Sequence, residues 1–452
     1  MGFKNIITGL QDGMVLQRDQ NNICRTYFSV SIPGEISISK GQIHEISCNK
    51  STRRICLTGI WTGGPYEITL RVGEYCITFN DIYVGDVWLL GGQSNMEGYG
   101  FYHHTLPYLH LTPEIRMFSA NDVWNIAEPR LHRNELSERE YLRERCHLPV
   151  GYWHTQGVGP GYFFAEEMRR RTGVPQGIIP CALGGSHLYQ WNPDSKEINL
   201  YTIMLERFCA CGSHVRGVFW HQGCGETTTP EDAEKFTERM HTLINALRRD
   251  TDNPVLPFVQ VQLFAHIGSV PENDKNWNLV RENQRRMAQE IPGVDTVSIT
   301  NGALTDGIHL HADKQHQVGV QAAESMFHLC FDPAGIISKP FPQPARIYIP
   351  KYTDEWGNIL AIQYQNLHGA LTSLDRPTGF DLSYSPETLD VRAVFRVDLQ
   401  DDTVYIRHWL QSEQLQKMYL FYFFGNTTYA NITDSTGRPL PAMGPIPLEK
   451  YL

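Results

Sequence analysis

No apolar run in this sequence approaches the roughly 20 residues that a helix needs to cross a bilayer, so no membrane span is expected. Blocks of like charge are lacking too: 39 Lys and Arg stand against 49 Asp and Glu, scattered over 452 residues, for a formal net charge of −10. That balance argues against nucleic acid or an anionic membrane surface as partner. The first residues, MGFKNIITGLQDGMVLQRD, hold no continuous apolar segment and no small-residue cleavage site, and Ile6 breaks the myristoylation pattern. No secretory leader is expected, and a cytoplasmic location is. The ten cysteines offer no matched pairs, since the closest two, Cys209 and Cys211, form a lone C-x-C. A zinc site or disulfide framework is not expected; reduced thiols are. For the same reason the sequons at Asn426 and Asn431 read as accidental.

The composition that remains is that of a soluble globular protein with a substantial core: 41% hydrophobic and 19% charged residues. Aromatics reach 11%, with nine Trp, which serve either core packing or the lining of a carbohydrate cleft. The length calls for more than one folding unit.

Residues 1–82 alternate apolar and polar residues with period near two in ISISKGQIHEISC, YEITLRVG and YCITFNDIYVG, and predict a β unit. From about 85 the pattern changes. VWLLGG (87–92), GIIPCAL (177–183), VRGVFWHQ (215–222), PVLPFVQVQL (254–263) and DTVSITN (295–301) are short, β-rich apolar runs. Helical segments predicted at 161–171, 230–249, 278–291 and 312–329 lie between or after them. Apolar strands alternating with amphipathic helices imply a parallel sheet covered on both faces, with chemistry at the carboxyl ends of the strands. Ser94 follows the first of these strands, Gly184 and Gly185 the second; Gln222 ends the third and Asp306 follows the last. The stretch 101–156 reads as a long, polar, irregular insertion. Its six histidines, His103, His104, His110, His132, His147 and His154, match no metal spacing, and a substrate-shaping loop is the reading. Beyond the Pro-rich junction near 336, further strand-like runs predict a C-terminal β domain. The expected division is 1–82, 83–335 and 336–452.

LLGGQSNMEGYG (89–100) puts Ser94 straight after an apolar strand, where backbone N–H groups can flank an exposed hydroxyl. The run Gly92-Gln93-Ser94-Asn95-Met96 lacks the second glycine of the G-x-S-x-G elbow. Alone, Ser94 also reads as a turn or helix N-cap serine. A nucleophilic serine needs a base, and TDGIHLHADKQ supplies Asp306 and His309. At D-x-x-H spacing a carboxylate can take the imidazole Nδ1–H and leave Nε2 for a serine. The alternative is a helix cap with a surface histidine. His311 lies five residues from Asp306, which makes the same short pairing harder. CALGGSH offers Gly184 and Gly185, whose backbone can approach an oxyanion closely. FWHQGCGE offers Gln222, a neutral amide donor. Each segment alone is an ordinary strand-to-loop turn. Together they make a constellation of nucleophile, base, orienter and oxyanion donors.

GQSNM, the GGS loop, WHQG and DGIHL, in that order, resemble the blocks of SGNH-type hydrolases, in particular the sialate O-acetylesterase branch and related carbohydrate acetylesterases. DGMVLQR, GYFFAEEM, GVPQGIIPCALGGS and NITDSTGRPLPAMGPI resemble that branch as well, so the likeness spans nearly the whole chain. It implies an α/β fold with an SGNH-hydrolase (flavodoxin-like) parallel sheet flanked by N- and C-terminal β units. It implies Ser94 as nucleophile, His309 as base and Asp306 as its orienting acid. The oxyanion hole would combine the Ser94 N–H, a Gly184 or Gly185 N–H and the Gln222 side chain. Trp191 would border the sugar, with Gln93, Asn95, His221 and Glu226 as further substrate-binding positions. Where the family often reads QGE, here Cys224 follows Gly223 and the acid is displaced to Glu226.

The expected activity is carbohydrate O-acetylesterase through an acetyl-enzyme, with an acetylated sugar as substrate and neither metal nor organic cofactor. Acetylated mannan or xylan oligosaccharide is the favoured substrate and O-acetylated sialic acid the alternative. A non-catalytic carbohydrate-binding protein on an esterase scaffold is the reading from another class; the presence of Ser94, Asp306 and His309 disfavours it. A lipase is disfavoured by the polarity of 101–156.

Overall fold

The computed structural model describes residues 6–46, 53–101, 111–145, 157–196, 198–351, 358–426 and 429–451. It is a mixed α/β chain with a mostly parallel central sheet. It divides into two units: Met1–Trp220 with Thr242–Phe258, and His221–His241 with Val259–Leu452.

In the first unit, the strand Ile23–Val30 buries Cys24, Thr26, Phe28 and Val30, every second residue, as its alternation requires. It pairs antiparallel with Arg53–Trp61, which pairs in turn with Gln42–Ile46. The following strand runs unbroken from Tyr75 to Gly92 and has two characters. Its first half alternates and pairs antiparallel with Gly63–Val72. Its second half, from Tyr83 on, is buried throughout and pairs in parallel with Gln176–Pro180, Leu89 opposite Ile179. The change from period two to a continuous apolar run marks the passage from a one-sided to a two-sided sheet.

The stretch 101–156, read as irregular, contains two strands among its described residues. Ile115–Phe118 pairs in parallel with Gln176–Pro180, and Trp124–Ile126 returns antiparallel to it. The sequence hid the first because it is four residues long and includes Arg116. That side chain donates to the Pro113 carbonyl (2.8 Å) and lies over the Tyr83 ring, two contacts that offset part of the cost of burying it. A helix at Leu200–Ala210, absent from the predicted set, had a readable signal. Asn199 caps it by accepting from the Thr202 N–H at 2.8 Å, and Leu200, Met204 and Phe208 recur on its buried face.

In the second unit, Gln262 N–H donates to Val297 O, setting the end of the strand Phe258–Val261 beside Val294–Val297. The helices Asp274–Glu290 and Ala312–Phe331 flank them, as the periodicity indicated. The helix predicted over 230–249 is two, Pro230–Glu234 and Phe236–Asp250, meeting at Lys235. Later strands build a separate apolar core around Leu360, Ile362, Val404, Ile406 and Leu420. Buried polar groups tie this β region to the helical part of its unit. The Gln262 amide donates to Ala442 O and accepts from Ala442 N–H (2.8 and 2.9 Å), and Arg281 donates to the Gly425 carbonyl at 2.7 Å. Asn426 spends its amide on Asp274 (2.9 Å) and is buried. The eight described cysteines form no disulfide with one another. Among the described residues no helix is long and apolar enough to cross a membrane.

Candidate active site

The first unit gathers Gln93, Ser94, Asn95, Gly184, Gly185 and Trp191. Gly92 takes a φ of 125°, open to glycine and strained for other residues, and this turns the chain from the strand into the short helix Ser94–Glu97. Gln93, extended at φ −120°, occupies the N-cap position, and its carbonyl accepts the N–H groups of Met96 and Glu97 (both 2.9 Å). Ser94 is therefore the first helical residue and not its cap. Gln93, Ser94 and Asn95 are all buried.

The GGS loop comes directly onto this turn. Leu183 N–H donates to Gly92 O at 3.0 Å, and a Cβ built on Gly184 would lie 3.5 Å from the Ser94 Cβ. The Gly184 N–H is donated to the Glu97 carboxylate at 2.5 Å. The Gly185 N–H makes no hydrogen bond among the described residues, and Gly185 is exposed at φ 67°. Trp191 is 1% exposed; its indole N–H donates to Ser186 Oγ at 3.1 Å and its ring meets Trp220 edge to face. It buttresses the loop from beneath. The exposed aromatic of this segment is Tyr189, 44% accessible and stacked on the His187 ring at 5.4 Å.

The second unit gathers Asp306, His309, His221, Gln222 and Glu226. Asp306 Oδ2 meets His309 Nδ1 at 2.7 Å, while its Oδ1 accepts the N–H groups of Ile308 and His309, both at 2.8 Å. Burial would raise this carboxyl, but the His309 ring and the two backbone donors outweigh it and hold the group at about 2. A carboxylate so fixed orients the ring and selects the tautomer with the proton on Nδ1. His311 serves differently: it caps the helix Ala312–Phe331, accepting weakly from Asp313 N–H at 3.4 Å.

Gln222 follows the strand Gly217–His221, and its amide nitrogen donates to Glu226 Oε2 at 3.2 Å. Glu226, displaced in the sequence, thus reaches the amide it would have to orient, and both are buried. His221 is buried beside them. Burial, then the charge His309 can carry, pushes its imidazole down to about 3, so it is neutral at physiological pH. Burial, then Glu226, pushes the Cys224 thiol up to about 12, which rules it out as a thiolate nucleophile at neutral pH.

Sequence reading missed three supports. Gln284 donates to the Gln222 carbonyl at 3.0 Å and accepts the Leu263 N–H at 2.9 Å, fixing the loop from the helix side. Ile267 N–H donates to Gly307 O at 2.7 Å, bracing the Asp306 loop. Asn134, from the insertion, donates to Glu97 at 2.9 Å. The buried polar residues at 3.6 spacing in NLVRENQRRM were the visible sign of the first; the others depend on contacts distant in sequence. Of the six histidines in 101–156 only His132 falls within the described residues. Among those residues no group of three His, Cys, Asp or Glu side chains stands together to hold a metal ion.

The family model described as carbohydrate esterase, sialic acid-specific acetylesterase, matches residues 84–328, more than half of the chain. A probable carbohydrate esterase of Arabidopsis thaliana is 30% identical over 255 residues, which is 53% of this chain and 89% of the plant protein. Human sialate O-acetylesterase is 22% identical over 269 residues; the match takes in 49% of this chain and 49% of that enzyme, about half the length of each. Among solved structures, a carbohydrate acetylesterase from Xanthomonas citri shares the fold with a TM-score of 0.74 at 22% identity, over 96% of this chain and 98% of that one.

Proposed function

The chain belongs to the sialic acid-specific acetylesterase family of carbohydrate esterases, and from that premise we propose that it removes acetyl groups from acetylated sugars through a Ser94–His309–Asp306 acyl-enzyme mechanism on an SGNH-type, flavodoxin-like scaffold. Ser94 Oγ attacks the acetyl carbonyl while His309 takes its proton through Nε2 and returns it to the leaving sugar hydroxyl. Water then cleaves the acetyl-enzyme with His309 again as base. Asp306 keeps the ring in the tautomer with Nδ1–H. The observation that carries this reading is the Asp306–His309 pair: a 2.7 Å bond whose carboxylate is pinned by two further N–H donors.

The developing oxyanion takes hydrogen bonds from the Ser94 N–H, the Gly185 N–H and the second amide hydrogen of Gln222. Gly184 serves differently, since its N–H is spent on Glu97. Glu226 aims the Gln222 amide. Tyr189 supplies the exposed ring for the sugar, a part Trp191 is too deeply buried to play.

The substrate we favour is an acetylated plant polysaccharide fragment, mannan or xylan, with the 101–156 insertion shaping its site. O-acetylated sialic acid is the second reading, favoured by the curated name of the human relative. Acetate release from acetylated mannan, acetylated xylan and O-acetyl sialic acid, by the wild type and by Ser94→Ala, tests both points. The Ser94→Ala protein should lose on the order of 10⁴-fold or more in rate. Wild-type turnover by that variant sinks the mechanism, and preference for sialic acid replaces the substrate assignment.

A further inference from the structure

We infer that Glu97 is a positioning residue: its carboxylate clamps the GGS loop onto the Ser94 turn, and Asn134 of the 101–156 insertion completes the clamp. The inference rests on the reading of Ser94 as nucleophile.

Glu97 lies one helical turn after Ser94 and is 7% exposed. Its Oε2 accepts the Gly184 N–H at 2.5 Å and its Oε1 accepts the Asn134 amide at 2.9 Å. The same Asn134 nitrogen donates to the Ala182 carbonyl at 3.1 Å, so Asn134 grips the loop two residues before Gly184. Three stretches distant in sequence therefore meet on one carboxylate. The fit leaves no slack: a Cβ on Gly184 would stand 2.7 Å from Glu97 Oε2 and 3.2 Å from the Tyr99 hydroxyl.

A buried carboxylate is costly, and no cation touches this one among the described residues. Its retention suits a site that presents two N–H donors and needs an acceptor for each. The charged and titratable groups around it are few. Arg130 is held in a pair with Glu135 at 3.0 Å. Arg145 donates to the Gly184 and Gly185 carbonyls at 3.4 and 3.3 Å. His132 is buried near the Glu97 backbone and kept neutral, pushed down to about 3 by burial first and by Arg207 next.

Burial raises the Glu97 carboxyl to about 7, against the pull of the Gly184 and Asn134 donors. Protonation turns one acceptor into a hydroxyl facing a donor, and the clamp opens on that side. The loop then loses the fixed aim of its next residue, Gly185, whose N–H would stabilise the oxyanion. Such a loss falls on kcat rather than KM, because the bond strengthens only as the oxyanion forms.

The test uses the full chain with Glu97→Ala, Glu97→Asp and Glu97→Gln. It reads kcat, KM, pH profile, and the rate at which a fluorophosphonate phosphonylates Ser94 with release of fluoride. The Ala and Asp variants should fall about 10²- to 10³-fold in kcat and in labelling rate, the size of one lost oxyanion donor, with KM within a few-fold. Glu97→Gln keeps an acceptor for Gly184 but turns an NH2 toward Asn134, as the protonated acid turns its hydroxyl; it should hold the lowered kcat of the protonated wild type with KM little changed and lose one ionisation from its pH profile. Folded Ala or Asp variants that label Ser94 at the wild-type rate overturn the clamp. If Glu97→Ala does not fold, Glu97→Asp decides, since it keeps the charge but is one methylene too short. Failure of the wild-type protein to label at Ser94 instead overturns the nucleophile assignment beneath it.

Discussion

Replacing Asp306 with Asn changes a single atom and leaves the shape of the site intact, so it isolates what the carboxylate does for His309. In the wild type Oδ1 accepts two backbone N–H groups at 2.8 Å, and an asparagine Oδ1 accepts both equally well. The loop that holds His309 therefore stays in place. The change falls on the other atom. Oδ2, an acceptor 2.7 Å from His309 Nδ1, becomes an NH2 donor. The alternative amide orientation would set NH2 against two N–H groups and is worse. The imidazole must then accept at Nδ1 and carry its proton on Nε2, where it can no longer take a proton from a serine. A wrong-tautomer histidine costs on the order of 10⁴ in kcat, or about 5.5 kcal/mol of transition-state stabilisation. Steady-state acetate release should show this fall with KM little changed and a circular-dichroism melting curve close to the wild type. Asp306 is held at about 2, so the wild-type carboxylate stays charged across pH 5 to 9. An Asp306→Asn enzyme within tenfold of wild type would refute the tautomer argument, and with it the role given to the pair.

Three further outcomes follow from the geometry. Gly184→Ala brings a methyl 2.7 Å from Glu97 Oε2; denaturation should show a loss of about 1–3 kcal/mol, and kcat should drop at least as far as in Glu97→Asp. Glu97 also makes stability pH-dependent. Its carboxyl rises from an ordinary 4.5 to about 7 on folding, so the folded state keeps a proton the unfolded state has released. The stabilisation is whole below 4.5 and is lost as pH rises through about 7, a change on the order of 3 kcal/mol. Urea titrations from pH 4 to 8 should show the wild type losing stability relative to Glu97→Gln, and parallel curves would contradict this. Tyr189→Ala should raise KM for the sugar ester about fivefold, the worth of roughly 1 kcal/mol of aromatic contact, with kcat held; an unchanged KM removes Tyr189 from the sugar site.

The segments proposed to carry the chemistry, and the mixed α/β kind of fold, were both legible in the sequence. Both rest on local patterns, which a linear reading captures. Period-two alternation before residue 82, apolar runs afterwards and helices between them are enough to specify a mixed α/β chain. The D-x-x-H spacing carried the Asp306–His309 bond because two side chains three residues apart on a tight turn meet without help from the rest of the molecule. The four-residue strand at Ile115 lacked such a pattern: its Arg116 looks polar until Tyr83 and Pro113 are seen beside it.

How the loops are held depends on contacts between residues far apart in the sequence. Glu97 looks like the unremarked fourth residue of a helical turn, yet it joins Gly184 and Asn134 from segments 87 and 37 residues away. Trp191, expected to border the sugar, is packed on Trp220, while Tyr189 two residues earlier is exposed. Gln284 secures the backbone of Gln222 from 62 residues on. The physical reason is common to all three. A hydrogen bond or a burial depends on what the chain brings alongside, and that follows from packing across the whole unit, not from neighbours in sequence.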